Sequence, residues 1–102
     1  MYKSKEELLV EYIKEGNKDD AAELLFTYPN INVNHTDIDG DTALIDASIR
    51  GHTACVELLL KHPTIDVNYA DETYGTTALI YASRNGKTEC VELLLTHPNI
   101  NV

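Results

Sequence analysis

The sequence predicts an all-α repeat solenoid, in which helix–turn–helix units stack on one another and short β-hairpins connect them. Residues 42–67 and 77–102 align without a gap and agree at 18 of 26 positions. Apolar residues recur at helical spacing within each copy, and a turn signal, Asp39-Gly40, precedes the first copy. A unit of this length cannot bury its apolar face alone, so the copies must stack.

The first repeat is predicted to be a divergent terminal unit, over residues 4–34 of a single domain that spans residues 1–102. A capping box that begins at Ser4 predicts a helix start, and Gly16 is its expected stop. A second helix should run from residue 19 or 20 to about Thr27. This repeat lacks a hairpin, and its outer side is polar, as a capping repeat requires; the polar residues are Lys5, Glu6, Glu11, Lys14 and Glu15.

The second and third repeats are predicted over residues 35–68 and 69–102. Thr42 and Thr77 are expected to cap the first helix of each repeat. The hairpin of the third repeat carries one residue more than the Asp39-Gly40 hairpin. The predicted helices are Thr42–Arg50 and Thr53–Lys61, then Thr77–Asn85 and Thr88–Thr96.

One motif resembles the signature of a known family. The run from Thr42 to Ala47, T-A-L-I-D-A, and its copy T-A-L-I-Y-A from Thr77 resemble the T-P-L-H-x-A signature of ankyrin repeats. The resemblance is close over residues 31–102 and looser over residues 5–30. It implies a short ankyrin array of about three repeats. Isoleucine stands at both positions where the family has a histidine that ties the hairpin to the helix.

Composition limits the classes of partner. The formal net charge is -9 and basic residues do not cluster, so neither nucleic acid nor an anionic membrane is an expected partner. A protein with a basic or neutral surface suits this charge better. No apolar run approaches the roughly 20 residues that cross a bilayer, and the first residues are too acidic for a signal peptide. We therefore expect an intracellular, cytoplasmic protein.

The sequence predicts no enzyme, cofactor or metal site. Cys55 and Cys90 repeat at one position in an apolar helix stripe, so we expect two buried core thiols. Of the four histidines, His62 and His97 occupy equivalent turns without the helical spacing of zinc ligands. The aspartates from residue 37 to residue 41 alternate as in a calcium loop, but the required glycine and glutamate are missing.

The differences between the two copies predict where a partner binds. They fall at positions 46, 49 and 50 of the first helix, which share one face that we expect to meet solvent. The resemblance implies a protein-binding concave side built from this face and the hairpin tips. It also implies that Asn68 could be a substrate of an asparaginyl hydroxylase. The predicted partner-binding residues are Ile38, Asp39, Asp41, Asp46, Arg50, Tyr74, Tyr81 and Arg84.

A second hypothesis places function at the ends of the stack. The last helix pair repeats the apolar pattern of the pair before it, and no polar cap follows. The chain would then be a fragment of a longer ankyrin array, or an assembly building block that self-associates through its carboxyl-terminal end.

Overall fold

The computed structural model of the chain describes residues 2–102, which form three stacked helix pairs. The helices are α1 (Lys5–Lys14), α2 (Lys18–Thr27), α3 (Ala43–Arg50), α4 (Thr53–Leu60), α5 (Ala78–Arg84) and α6 (Thr88–Leu95). Within this range no helix is long and apolar enough to cross a membrane.

The helices form two layers. The first helices of the pairs lie side by side, with α1 against α3 and α3 against α5, and the second helices follow in the order α2, α4, α6. The core lies between the layers and between successive pairs. Alanines that are four residues apart line α3 and α5, and their small side chains are fully buried; they are Ala43, Ala47, Ala78 and Ala82.

The helix ends are set by local chemistry. The Ser4 side chain accepts a hydrogen bond from the Glu7 amide, and the Glu7 carboxylate accepts one from the Ser4 amide, as a capping box predicts. Thr42 and Thr77 cap α3 and α5 as expected. Helix α2 begins at Lys18, a little earlier than predicted, because the Asn17 side chain caps it.

A glycine with a left-handed backbone follows the first helix of each pair. Gly16 has a φ of 72°, a conformation that a residue with a side chain rarely adopts. A Cβ atom there would also lie 2.9 Å from Nδ1 of His52. His52 Nε2 in turn donates a hydrogen bond to the Lys14 carbonyl, so this junction joins the first and second repeats.

Two hairpins connect the helix pairs. The first hairpin, residues 36–42, closes with a bridge between Thr36 and Thr42, and the second hairpin, residues 70–77, closes with a bridge between Ala70 and Thr77. One aspartate organises each hairpin. Asp37 Oδ1 accepts hydrogen bonds from the amides of residues 39 and 41, and Asp71 Oδ1 accepts them from the amides of residues 74 and 76.

Asparagine side chains join successive connections. The Asn34 amide group donates to the Thr64 carbonyl and accepts from the Asp66 amide, at 2.9 and 2.8 Å. Asn68 repeats this pattern with the backbone of residues 99 and 101. Each asparagine therefore fixes the spacing between its own repeat and the next.

Candidate functional site

An open groove runs between α1 and the first hairpin, and we call it the acidic groove. Its volume is about 660 Å³, and the buried Val10 gives it an apolar floor. Carboxylates outnumber basic side chains around it. The lining residues are Lys3, Glu7, Val10, Glu11, Lys14, Glu15, His35, Thr36, Asp37 and Ile38.

Both lysines of the acidic groove form ion pairs within the chain. Lys3 Nζ lies 2.7 Å from a Glu11 oxygen, and Lys14 Nζ lies 3.1 Å from Asp37 Oδ2. The hydrogen bond to Asp37 raises the pKa of Lys14, which keeps this lysine charged. Glu15 is exposed at the groove and takes part in none of the ion pairs found within residues 2–102, so its charge is available to a ligand.

The hairpin tips carry exposed apolar side chains. Ile38 is fully exposed at the tip of the first hairpin, and Tyr74 is 78% exposed in the second hairpin. Asp39 is exposed beside Ile38, and Asp41 is half-buried. Exposed apolar surface can mark a site of protein–protein contact, so these tips are candidates for partner contact.

Asp46 does not face solvent, which corrects the prediction from the sequence. Its side chain turns towards the first hairpin, where only 6% of the residue is exposed, and Oδ2 has no hydrogen-bond partner within the described chain. Burial raises the pKa of Asp46 to about 8, and the neighbouring Asp37 acts in the same direction. Asp46 is therefore largely protonated at neutral pH and belongs to the junction of helix and hairpin.

Tyr81 occupies the equivalent position in the third repeat and has a related role. Its hydroxyl donates a hydrogen bond to Asp71 Oδ2, and this bond raises the pKa of Tyr81 to about 12. The same bond lowers the pKa of Asp71. The ring is half-buried and lies 5.9 Å from the guanidinium of Arg84. The equivalent residues Asp46 and Tyr81 therefore each join the first helix of their repeat to the hairpin that precedes it.

The two predicted arginines lie at helix ends. Arg50 is the last residue of α3 and is exposed. Arg84 is the last residue of α5, and it borders a second, shallow groove at the end of the stack, which we call the end groove. The end groove is lined by Leu79, Ile80, Ser83, Arg84, Val91, Leu95 and Val102. The eight predicted residues therefore divide among the hairpin tips, the helix–hairpin junctions and the helix ends.

The surroundings of Cys55, Cys90 and His62 indicate a role in stabilising the fold. Cys55 and Cys90 are buried, and burial raises the pKa of both thiols, which disfavours the reactive thiolate. His62 Nε2 donates to the Pro29 carbonyl across one repeat. In the part of the chain that the structure describes, no three metal-binding side chains are grouped as a metal site would need. The side-chain amide of Asn68 is hydrogen-bonded to the backbone of residues 99 and 101, and the hydroxylation of Asn68 remains a prediction.

The α1 wall of the acidic groove was missed by sequence reasoning. The charged residues of α1 were interpreted only as the solvated side of a capping repeat. Glu7, Glu11 and Lys14 follow one another at i, i+4 and i+7, a spacing that puts them on one face. Val10 lies within the same stripe, and an apolar residue there was the available sign of a groove floor.

The chain has the architecture of a helical repeat protein: helix pairs stack on one another, and hairpins with a groove beside them connect the pairs. The family model described as "Ankyrin repeats (3 copies)" matches residues 9–102. The chain therefore belongs to the ankyrin-repeat family, which confirms the resemblance and the predicted fold. Ankyrin repeats generally serve as protein–protein interaction modules. The comparison with curated proteins returned no match.

Proposed function

We propose that this chain is a non-enzymatic interaction module that binds a protein partner along its acidic groove and hairpin tips. The observation that carries the proposal is the fully exposed Ile38 beside a groove with an apolar floor and a carboxylate-rich rim. Tyr74 extends this surface to the second hairpin. Of the residues predicted from the sequence, Ile38, Asp39 and Tyr74 are the best placed for contact, and Asp46 and Tyr81 act by holding the hairpins.

The charge of the surface supports a basic partner segment. Asp39 and Glu15 are exposed at the hairpin tip and the groove, and the whole chain carries a net charge of -9. Opposite charge on a partner accelerates association and suppresses wrong pairings, whereas apolar anchors supply most of the affinity. We therefore expect a segment in which lysine or arginine residues flank a large apolar residue.

Short fluorescent peptides test this directly. Peptides with lysine-flanked leucine or phenylalanine are compared with versions in which glutamate replaces each lysine, and binding is followed by fluorescence polarisation. Preference for the basic peptides, weakened by added salt, is the expected result, because exposed charges are screened. Equal binding of both peptide sets, or binding of neither, would contradict the proposal.

Matched variants locate the binding surface. Ile38→Ser and Glu15→Lys should each weaken binding, because they remove the apolar tip and reverse a free groove charge. Phe26→Ser and Glu92→Lys are the controls, since both residues are exposed and neither lines the acidic groove. A control that weakens binding as much as its matched variant would place the site elsewhere.

A further inference from the structure

Two carboxyl groups meet where the first hairpin packs on α3. Asp46, in the first turn of α3, is 6% exposed, and its Oδ2 atom, like that of Asp37 in the hairpin, is buried. The two side chains are close enough to hydrogen-bond each other. They can do so only when one of them is protonated, because an ionised carboxylate accepts hydrogen bonds and donates none. This contact between helix and hairpin therefore depends on one proton.

The charged groups around the pair favour the protonated form. From α1, Lys14 Nζ lies 3.1 Å from Asp37 Oδ2, and its charge is the one nearby charge that favours ionisation of Asp46 among the described residues. The hairpin itself brings Asp41, whose charge opposes that ionisation. From the third repeat, Asp71 opposes the ionisation of Asp41 in the same way. A second negative charge in the pair would therefore lack a cation to balance it, in a place that water does not reach.

The third repeat builds the same junction from a group that keeps its proton. There the Tyr81 hydroxyl donates to Asp71, and the pKa of Tyr81 is about 12. The pKa of Asp46 is about 8, so between pH 7 and pH 9 the first junction loses its proton and the second retains it. The second hairpin is therefore an internal reference for the first.

We infer that the Asp37–Asp46 pair is a pH-sensitive switch, in which loss of the shared proton releases the first hairpin from α3 and weakens partner binding at the acidic groove. Asp37 connects the two events. Its Oδ1 atom accepts hydrogen bonds from the amides of residues 39 and 41, so a displaced Asp37 also displaces Ile38 at the tip. This inference rests on the proposed function, because Ile38 and Asp37 line the same groove.

Hydrogen exchange without a partner tests the release of the hairpin. The unaltered chain is compared with Asp46→Asn at the same pH, because asparagine can donate to Asp37 but cannot ionise. At pH 9 the amides of residues 39 and 41 should exchange severalfold faster in the unaltered chain, and at pH 7 the two proteins should agree. The amides of residues 74 and 76, which Asp71 holds, should agree at both pH values. Equal exchange at residues 39 and 41 at pH 9 would overturn the inference.

Peptide binding at the two pH values tests the effect on the acidic groove. The probe is a fluorescent peptide with arginine-flanked leucine, since arginine stays protonated throughout. The unaltered chain should bind it about tenfold more weakly at pH 9 than at pH 7, because about nine in ten molecules then carry an ionised Asp46. Asp46→Asn, which retains His35 and Lys14, should not show this loss.

The outcomes separate the inference from the proposed function. No binding at pH 7 would contradict the proposed function and, with it, this inference. Binding that falls equally in the unaltered chain and in Asp46→Asn would overturn the inference alone. Tighter binding by the unaltered chain at pH 9 would also overturn it, since the added negative charge would then attract the peptide without releasing the hairpin.

Discussion

The Tyr81 hydroxyl donates a hydrogen bond to the carboxylate of Asp71, ten residues earlier in the same repeat. Asp71 also accepts backbone hydrogen bonds from the second hairpin, so this contact fixes the hairpin to α5. In the second repeat, Asp46 and Asp37 occupy the same two places. Ankyrin repeats commonly use a histidine at the position of Ile45 and Ile80, and here the next residue along the helix makes the connection.

Substitutions at Tyr81 and Asp71 should lower the stability of the chain in a non-additive way. Tyr81→Phe removes only the donor, and Asp71→Asn weakens the acceptor, so both should lower the thermal midpoint. If the two side chains act through one bond, the double variant should lose less than the sum of the single losses. Additive losses would show that the two residues stabilise the repeat independently.

Asp46 should make stability fall as the pH rises. Its pKa is about 8 in the folded chain and 3.8 ordinarily, so the folded state binds the proton more tightly. This contribution is complete below about pH 4 and is lost progressively towards pH 8. Burial alone would raise the pKa of Asp37, but the Asp41 amide, the Lys14 ammonium and the neighbouring Asp46 together lower it, so Asp37 affects stability only below about pH 4.

Asp46→Asn should remove most of this dependence. At pH 8 the variant should be more stable than the unaltered chain by up to about 5 kcal/mol, since the two pKa values differ by about 4 units and one pKa unit corresponds to about 1.4 kcal/mol. Urea unfolding at several pH values measures the slope, and Asp39→Asn, at the exposed hairpin tip, is the control. Parallel pH profiles for the unaltered chain and Asp46→Asn would contradict the expected titration.

Leu44 and Leu79 should differ in their contribution to stability, although they occupy equivalent positions. Leu44 is 1% exposed between two repeats, and its truncation to alanine should cost about 2–5 kcal/mol. Leu79 is half-buried at the end groove, so Leu79→Ala should cost about half as much. Denaturant unfolding measures both. Equal losses would mean that the end groove is covered in solution or that Leu79 is packed as tightly as Leu44.

Asn34 should stabilise the contact between the first connection, which links α2 to α3, and the second connection, which links α4 to α5. Asn34→Ala removes two hydrogen bonds, which contribute about 1 kcal/mol each. The amide of Asp66 should then exchange its hydrogen faster, because Asn34 Oδ1 is its acceptor. Asn68→Ala is the matched comparison, and it should leave exchange at Asp66 unchanged. Unaltered exchange in Asn34→Ala would show that the side chain is not the source of protection.

The repeat architecture of this protein could be predicted from its sequence alone. The features that predict it are local or periodic: a recurrence over 26 residues, an apolar stripe around Cys55, and helix caps at Ser4, Thr42 and Thr77. Each cap and each apolar stripe depends only on residues a few positions away in the sequence. Helix bounds were therefore predicted to within one or two residues, and the family match confirms the class of fold.

The burial of each repeated position, in contrast, depends on contacts between distant parts of the chain. Two identical residues, Ile45 and Ile80, differ in burial because a helix pair covers one and not the other. Asp46 was expected in solvent from helical spacing alone, yet the first hairpin folds back over it and removes it from water. The acidic groove also depends on Val10 and Ile38, 28 positions apart in the sequence. Burial is a property of what packs against a residue, and that partner lies elsewhere in the chain.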